Sequence, residues 1–184
     1  NLIKQFYNNL SMHFSNSGQK TLLFYSHQNG EGKTFLLQFF AKELLQQNRS
    51  VIYCGNKEDV EKMPCETLVM DINSISNPEK ETQFWEDRLT NLPHEFILIE
   101  LPNTNVKPVN YPLINKANAL VKVTDAGRKW KSSDAYFNDS LNEMIKIPHL
   151  IWLNKMEGDE LEDINGEIPR KRSKIRTKLK QLLS

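Results

Sequence analysis

The run Ser26-His27-Gln28-Asn29-Gly30-Glu31-Gly32-Lys33-Thr34 constrains this chain more than any other stretch. An apolar segment, Thr21 to Tyr25, precedes it, and an apolar-periodic segment, Phe35 to Leu45, follows it. Strand, glycine-bearing loop and helix with Gly-Lys-Thr at the junction make a phosphate-binding P-loop. The glycines let backbone N–H groups converge on one concavity, and the start of the helix adds partial positive charge there. Gly30, Glu31, Gly32, Lys33 and Thr34 are therefore the candidate nucleotide-binding residues, with ATP or ADP and Mg²⁺ as the expected cofactors. Lys33 is placed to reach the β- and γ-phosphates, and Thr34 to offer its hydroxyl to Mg²⁺. His27 stands at the usual first-glycine position of this motif. The competing reading is a glycine-bearing surface turn that starts a helix; the flanking strand and helix weigh against it.

Bulk properties fit one globular domain spanning residues 1–184. A net charge of +1 argues against a chain that coats nucleic acid, and no nucleic-acid partner is expected. Cys54 and Cys65 have neither C-x-x-C spacing nor the density of a disulfide framework, so both are expected as buried, small apolar side chains in a reducing compartment. No apolar run approaches the roughly 20 residues of a membrane span. The chain begins at Asn1 without methionine, as a domain excised from a longer membrane-anchored protein would. His13, His27, His94 and His149 lack metal-ligand spacing, so no metal beyond nucleotide-linked Mg²⁺ is expected.

Ile3, Phe6, Tyr7, Leu10 and Phe14 recur at helical spacing, which predicts a helix over 2–15. Further strands are predicted at Ser50 to Cys54, Thr67 to Ile72, Phe96 to Ile99, Ala119 to Thr124 and His149 to Leu153. Helices are predicted from Asn77-Pro78 to Leu89 and from Ser133 to Ile147. Pro102 to Pro112 reads as a loop, Glu157 to Glu167 as an acidic loop, and Arg170 to Leu183 as a basic helix. Alternating strands and helices imply an α/β fold, a doubly wound and mainly parallel sheet flanked by helices.

These elements resemble, in order, the cytoplasmic P-loop domain of bacterial tyrosine kinases and the chain-length regulators of capsular and exopolysaccharide export. That group also includes the cell-division and chromosome-partition ATPases. The resemblance rests on Asn9-Leu10, on Ser26 with Gly30 to Thr34, and on Asn77-Pro78. It continues through Ile97-Leu98-Ile99-Glu100-Leu101-Pro102, Ala126-Gly127-Arg128 and Leu153-Asn154. It implies that Lys33 and Glu100 are the catalytic positions, that Thr34 and Glu100 hold Mg²⁺, and that Asn154 faces the adenine. Read from its own segment, Asn154-Lys155-Met156-Glu157, the asparagine could equally bond a purine edge or cap the end of a strand.

Departures from that pattern carry as much weight. The family's Asp-x-Asp after the second strand aligns with Gly55 and Lys57, and the latter would put positive charge beside the metal. Glu58 or Asp59 could substitute only through a shift of loop register. Glu100 replaces the family's aspartate with a side chain one methylene longer. The assembly motif Glu-x-x-Arg-x-x-Arg aligns with Asn1, Lys4 and Tyr7, so a monomer or weak dimer is expected. The acceptor tyrosine cluster has no counterpart after Tyr136. In its place lie Arg170, Lys171, Arg172, Lys174, Arg176, Lys178 and Lys180. This segment reads either as a helix with a solvated basic side or as a contact for anionic lipid.

The resemblance thus implies a degenerate, tyrosine kinase-like nucleotide-binding domain that regulates polysaccharide synthesis and export. It would act with membrane-anchored chain-length machinery at the cytoplasmic face of the bacterial inner membrane. Two alternatives remain at the level of sequence. One is an active ATPase or tyrosine kinase with rearranged carboxylates. The other is an interaction module whose nucleotide site has been closed by His27 and Lys57.

Overall fold

Strands β1 (Lys20–Tyr25), β2 (Val51–Gly55), β4 (Phe96–Glu100) and β5 (Ala119–Asp125) carry apolar side chains on both faces. A sheet of such strands must be covered by helices on either side. In the computed structural model, which describes residues 2–14, 18–70, 77–129 and 132–155, it is. With β3 (Glu66–Val69) and β6 (His149–Asn154) the strands form one six-stranded sheet in the order β3-β2-β4-β1-β5-β6. Every neighbouring pair is parallel.

Alternation along each strand sorts the core into two halves. Leu22, Phe24, Tyr53, Leu98, Val121 and Val123 point to the side covered by α1 (Leu2–Ser11) and α2 (Lys33–Gln46). Phe6 of α1 packs edge-on against Phe40 of α2 at 5.3 Å and against Trp152 of β6 at 5.2 Å. Leu23, Tyr25, Ile52, Cys54, Ile97, Ile99 and Leu120 face the other half, under Trp85 of α4 (Pro78–Leu89) and Leu141 of α6 (Ser132–Met144). The chain winds outward from β1 in both directions, so the loop after β1 opens at the switch point of the sheet, where ligands of such folds are received.

Several boundaries differ from expectation. Helix α1 stops at Ser11, and β3 covers Glu66–Val69 rather than 67–72, with Asp71 and Ile72 outside the described residues. Two single turns appear where the sequence has no helical periodicity to show: α3 (Lys57–Val60) and, within the expected proline-rich loop, α5 (Tyr111–Ile114). Four residues are too few for a periodic signal; Asn110 instead caps α5 by accepting the Leu113 N–H. Cys54 is buried as expected, whereas Cys65 is half-buried. The acidic loop and the basic C-terminal helix lie outside the described residues. Among the described residues no helix is long and apolar enough to cross a membrane.

Candidate active site

The loop after β1 owes its shape to two glycines. Gly30 has φ 77° and Gly32 φ 93°, the left-handed region that side chains disfavour. Helix α2 begins at once with Lys33, so the helix starts inside the loop rather than after it. His27 has no positive φ, which is why a residue other than glycine is tolerated there. Its ring turns away from the loop's concavity. Nδ1 lies 2.6 Å from Thr104 Oγ1, Nε2 lies 3.2 Å from Asp134 Oδ1, and the ring packs on Phe137. Lys57 is exposed at the start of α3. Neither side chain closes the cradle, and a cavity of about 530 Å³ opens over it.

Glycines 30 and 32, Lys33, Thr34 and Glu100 line that cavity. Glu100 ends β4 and is buried. Thr34 Oγ1 donates to Glu100 Oε1 at 3.0 Å, and the Tyr53 phenol donates to Oε2 at 2.8 Å. Lys33 Nζ donates to Ser26 Oγ at 2.8 Å and lies 3.9 Å from Glu100 Oε1. Burial pulls the Lys33 ammonium below its usual pKa, opposed by Glu100, Glu31 and Asp59. Burial pushes the Glu100 carboxyl up, opposed by Lys33, Tyr53 and Thr34. A buried lysine whose charge is incompletely matched is suited to an incoming anion.

Glu31 also lines the cavity, but its carboxylate works inside the loop. Oε2 accepts the N–H groups of His27 at 2.8 Å and Gln28 at 2.9 Å. Oε1 meets Arg128 Nε at 3.0 Å and the Thr124 hydroxyl at 3.2 Å. Asn154 braces the loop from β6: its amide donates to Glu31 O at 3.1 Å and lies against Gly32. Lys155, with φ 56°, donates to Gly30 O at 3.0 Å and to Asp125 Oδ2 at 2.8 Å. The structure therefore places Asn154 under the phosphate loop, among its braces.

The second acidic position departs from the expected register. Lys57 does not reach the cavity, whereas Asn56 and Asp59, on either side of it, line the wall. The turn of α3 supplies the shift, carrying Asp59 inward. Gly55 has a physical reason to lack a side chain: a β-carbon there would run into the Tyr53 ring, 2.5 Å from Cζ. In the sequence, Ser26 and Arg128 stand within the resembled pattern and Asp59 is one of two carboxylates that a register shift could bring in, while Lys155 has no role of its own. Nothing in the sequence marked Tyr53, which reads there as one more apolar strand residue.

Among the described residues no three His, Cys, Asp or Glu side chains cluster as a metal site. A hydroxyl and a carboxylate facing a glycine-lined cavity nonetheless suit Mg²⁺ carried by a nucleotide, since that ion takes only one or two protein oxygens beside phosphate and water. Bound there, it would neutralise charge on the terminal phosphates.

No family model matches the sequence, and the search of curated proteins gives no significant match. Solved structures do match. The kinase domain of Escherichia coli tyrosine kinase Etk superposes with a TM-score of 0.63 at 12% identity, over 93% of this chain and 76% of that one. The VpsO kinase domain gives 0.57 at 14%, over 85% and 94%. The chain has a bacterial tyrosine kinase-like P-loop fold. Mycobacterium smegmatis cobyrinic acid a,c-diamide synthase, solved with an ATP analogue and magnesium, also matches this kinase-like fold, with a TM-score of 0.56 at 12% identity over 82% and 81% of the two chains. At such identities the likeness speaks to fold, and the chemistry must be argued from the site.

Proposed function

We propose that this chain is a nucleotide-binding, tyrosine kinase-like domain that regulates capsule or exopolysaccharide synthesis and export, with phosphoryl transfer weakened or lost. The open cavity over Lys33, Thr34 and Glu100 carries the reading. Its left-handed glycines, helix start and lysine suit a nucleotide's phosphates, and the Thr34–Glu100 pair suits their Mg²⁺. Weak transfer follows from Gly55, which leaves the second strand without a carboxylate. Positioned metal and charge neutralisation supply most of the catalysis in phosphoryl transfer. The regulatory role rests on the resemblance. Its partner would be membrane-anchored chain-length machinery, with residues 170–183 against anionic lipid at the cytoplasmic face of the inner membrane.

The test is incubation with Mg²⁺ and ATP, followed by mass spectrometry. No phosphotyrosine is expected at Tyr7, Tyr25, Tyr53, Tyr111 or Tyr136. Modification at any of them that disappears in Lys33→Ala overturns the inactive assignment. One observation favours a second reading, an active ATPase with rearranged carboxylates: Asp59 lines the same cavity as Lys33 and Glu100 and acts on the charge of both. Phosphate release that is lost in Lys33→Ala and falls about a hundredfold or more in Asp59→Asn would establish that second reading.

A further inference from the structure

Tyr53 is fully buried in β2, on the α2 face of the sheet. Its ring leans along the strand over Gly55, and its phenol reaches Glu100 on the neighbouring strand β4. The ladder sets Tyr53 beside Leu98 and Cys54 beside Ile99, so the next step brings Gly55 alongside Glu100. The phenol thus lies over Gly55, where a side chain on that residue would stand. Both carboxylate oxygens of Glu100 are held by hydroxyl donors, Oε1 by Thr34 and Oε2 by Tyr53. A carboxylate has about four acceptor sites, so two remain for metal-bound water.

We propose that Tyr53 is the positioning residue of this site: its phenol fixes the Glu100 carboxylate toward Thr34 and the cavity, and so sets the Mg²⁺ dependence of nucleotide binding. Tyr53 itself touches no ligand. Gly55 offers no side chain at the strand end, and the buried phenol above it works through Glu100. Such outer contacts commonly govern metal affinity, and their loss lowers it about tenfold or more. The inference rests on the nucleotide-binding reading for its second half only. Its first half, control of Glu100, stands without ligand.

Tyr53→Phe keeps the ring and removes the donor. Two measurements decide the matter. In the ligand-free protein, a crystal structure of the variant locates the Glu100 carboxylate, which then keeps only the Thr34 hydroxyl of its two hydroxyl donors. Tyr53→Phe is expected to turn the carboxylate away from its bond to Thr34, because one of the two donors that fix it is gone. A carboxylate that keeps its position and its bond to Thr34 overturns the proposal whether or not nucleotide binds. With a fluorescent ATP analogue, Tyr53→Phe is expected to raise the Mg²⁺ concentration needed for half-binding by about tenfold, while binding in EDTA stays unchanged. A structural role alone would weaken both arms equally, and that result also overturns it. In a Glu100→Gln background Tyr53→Phe should add little, since the two act as one unit; additive losses contradict the claim. If the unaltered protein binds no nucleotide in either arm, the proposed function fails, and the position of the Glu100 carboxylate alone decides the role of Tyr53.

Discussion

At Gly32 two constraints coincide: φ is 93°, and the Asn154 amide occupies the space a β-carbon would need. Gly32→Ala is therefore expected to destabilise the chain by about 2 kcal/mol or more and to displace Asn154 from its bond to Glu31 O. Urea unfolding measures the first effect, and amide exchange at residues 30–33 the second. His149 gives a pH signature. Its Nε2 lies 3.0 Å from the Tyr25 hydroxyl and its Nδ1 2.7 Å from Asn142 Oδ1, and burial with the nearby Lys122 pulls its pKa from 6.5 down to about 4. A folded pKa below the unfolded one means that the unfolded chain binds the proton first. The stability linked to His149 is thus present above about pH 6.5 and is lost as pH falls through about 4. Because the ring is only half-buried, the loss should be about 1–2 kcal/mol, less than the shift alone implies. His149→Gln should flatten that part of the acid limb of a Tm-against-pH curve. Glu100 runs the opposite way: its raised carboxyl pKa favours the folded state at low pH and withdraws that contribution as pH rises.

Among the elements, the phosphate loop is held from four distant parts of the chain. Glu31 ties it to Thr124 and Arg128, Asn154 and Lys155 hold it from β6, and His27 joins it to Thr104 and Asp134. Glu31→Ala leaves two half-buried N–H groups without their acceptor and breaks a buried ion pair. It is expected to cost about 3 kcal/mol and to loosen the loop, read as faster exchange of the His27 and Gln28 amides. Helix α4 offers a simpler case. Asn77 caps it by accepting the N–H groups of Glu79 and Lys80, with Pro78 at the first position, so Asn77→Ala should cost about 1 kcal/mol in thermal or urea unfolding. The Asn77-Pro78 signal was legible in the sequence because capping is local. The same holds for the strand–loop–helix of the P-loop, whose glycines and apolar flanks lie within one window. What the sequence concealed is non-local: the ties to Glu31 span about 93 residues to Thr124, and the Tyr53–Glu100 bond joins neighbouring strands 47 positions apart. Sequence left the choice between Glu58 and Asp59 open, because a single-turn helix has no period by which to foresee which of them turns inward.

For the whole molecule, the doubly wound sheet was legible from alternation alone, since fully apolar strands between helical segments admit few other arrangements. The strand order was not, because β1 acquires its neighbours β4 and β5 through contacts remote in sequence. Assembly follows from the residues at the N-terminus: without paired charges at Asn1, Lys4 and Tyr7, the isolated domain should scatter light as a monomer or weak dimer at micromolar concentration. A stable ring would count against that expectation. The central claim is that the cavity over Lys33 receives the phosphates of a nucleotide, and titration with a fluorescent ATP analogue, with and without Mg²⁺, tests it most directly. Saturable binding at one site, strengthened by Mg²⁺ and weakened at least about tenfold in Lys33→Ala, is the predicted result. Binding that is absent, or that is indifferent to Lys33→Ala, would contradict the account.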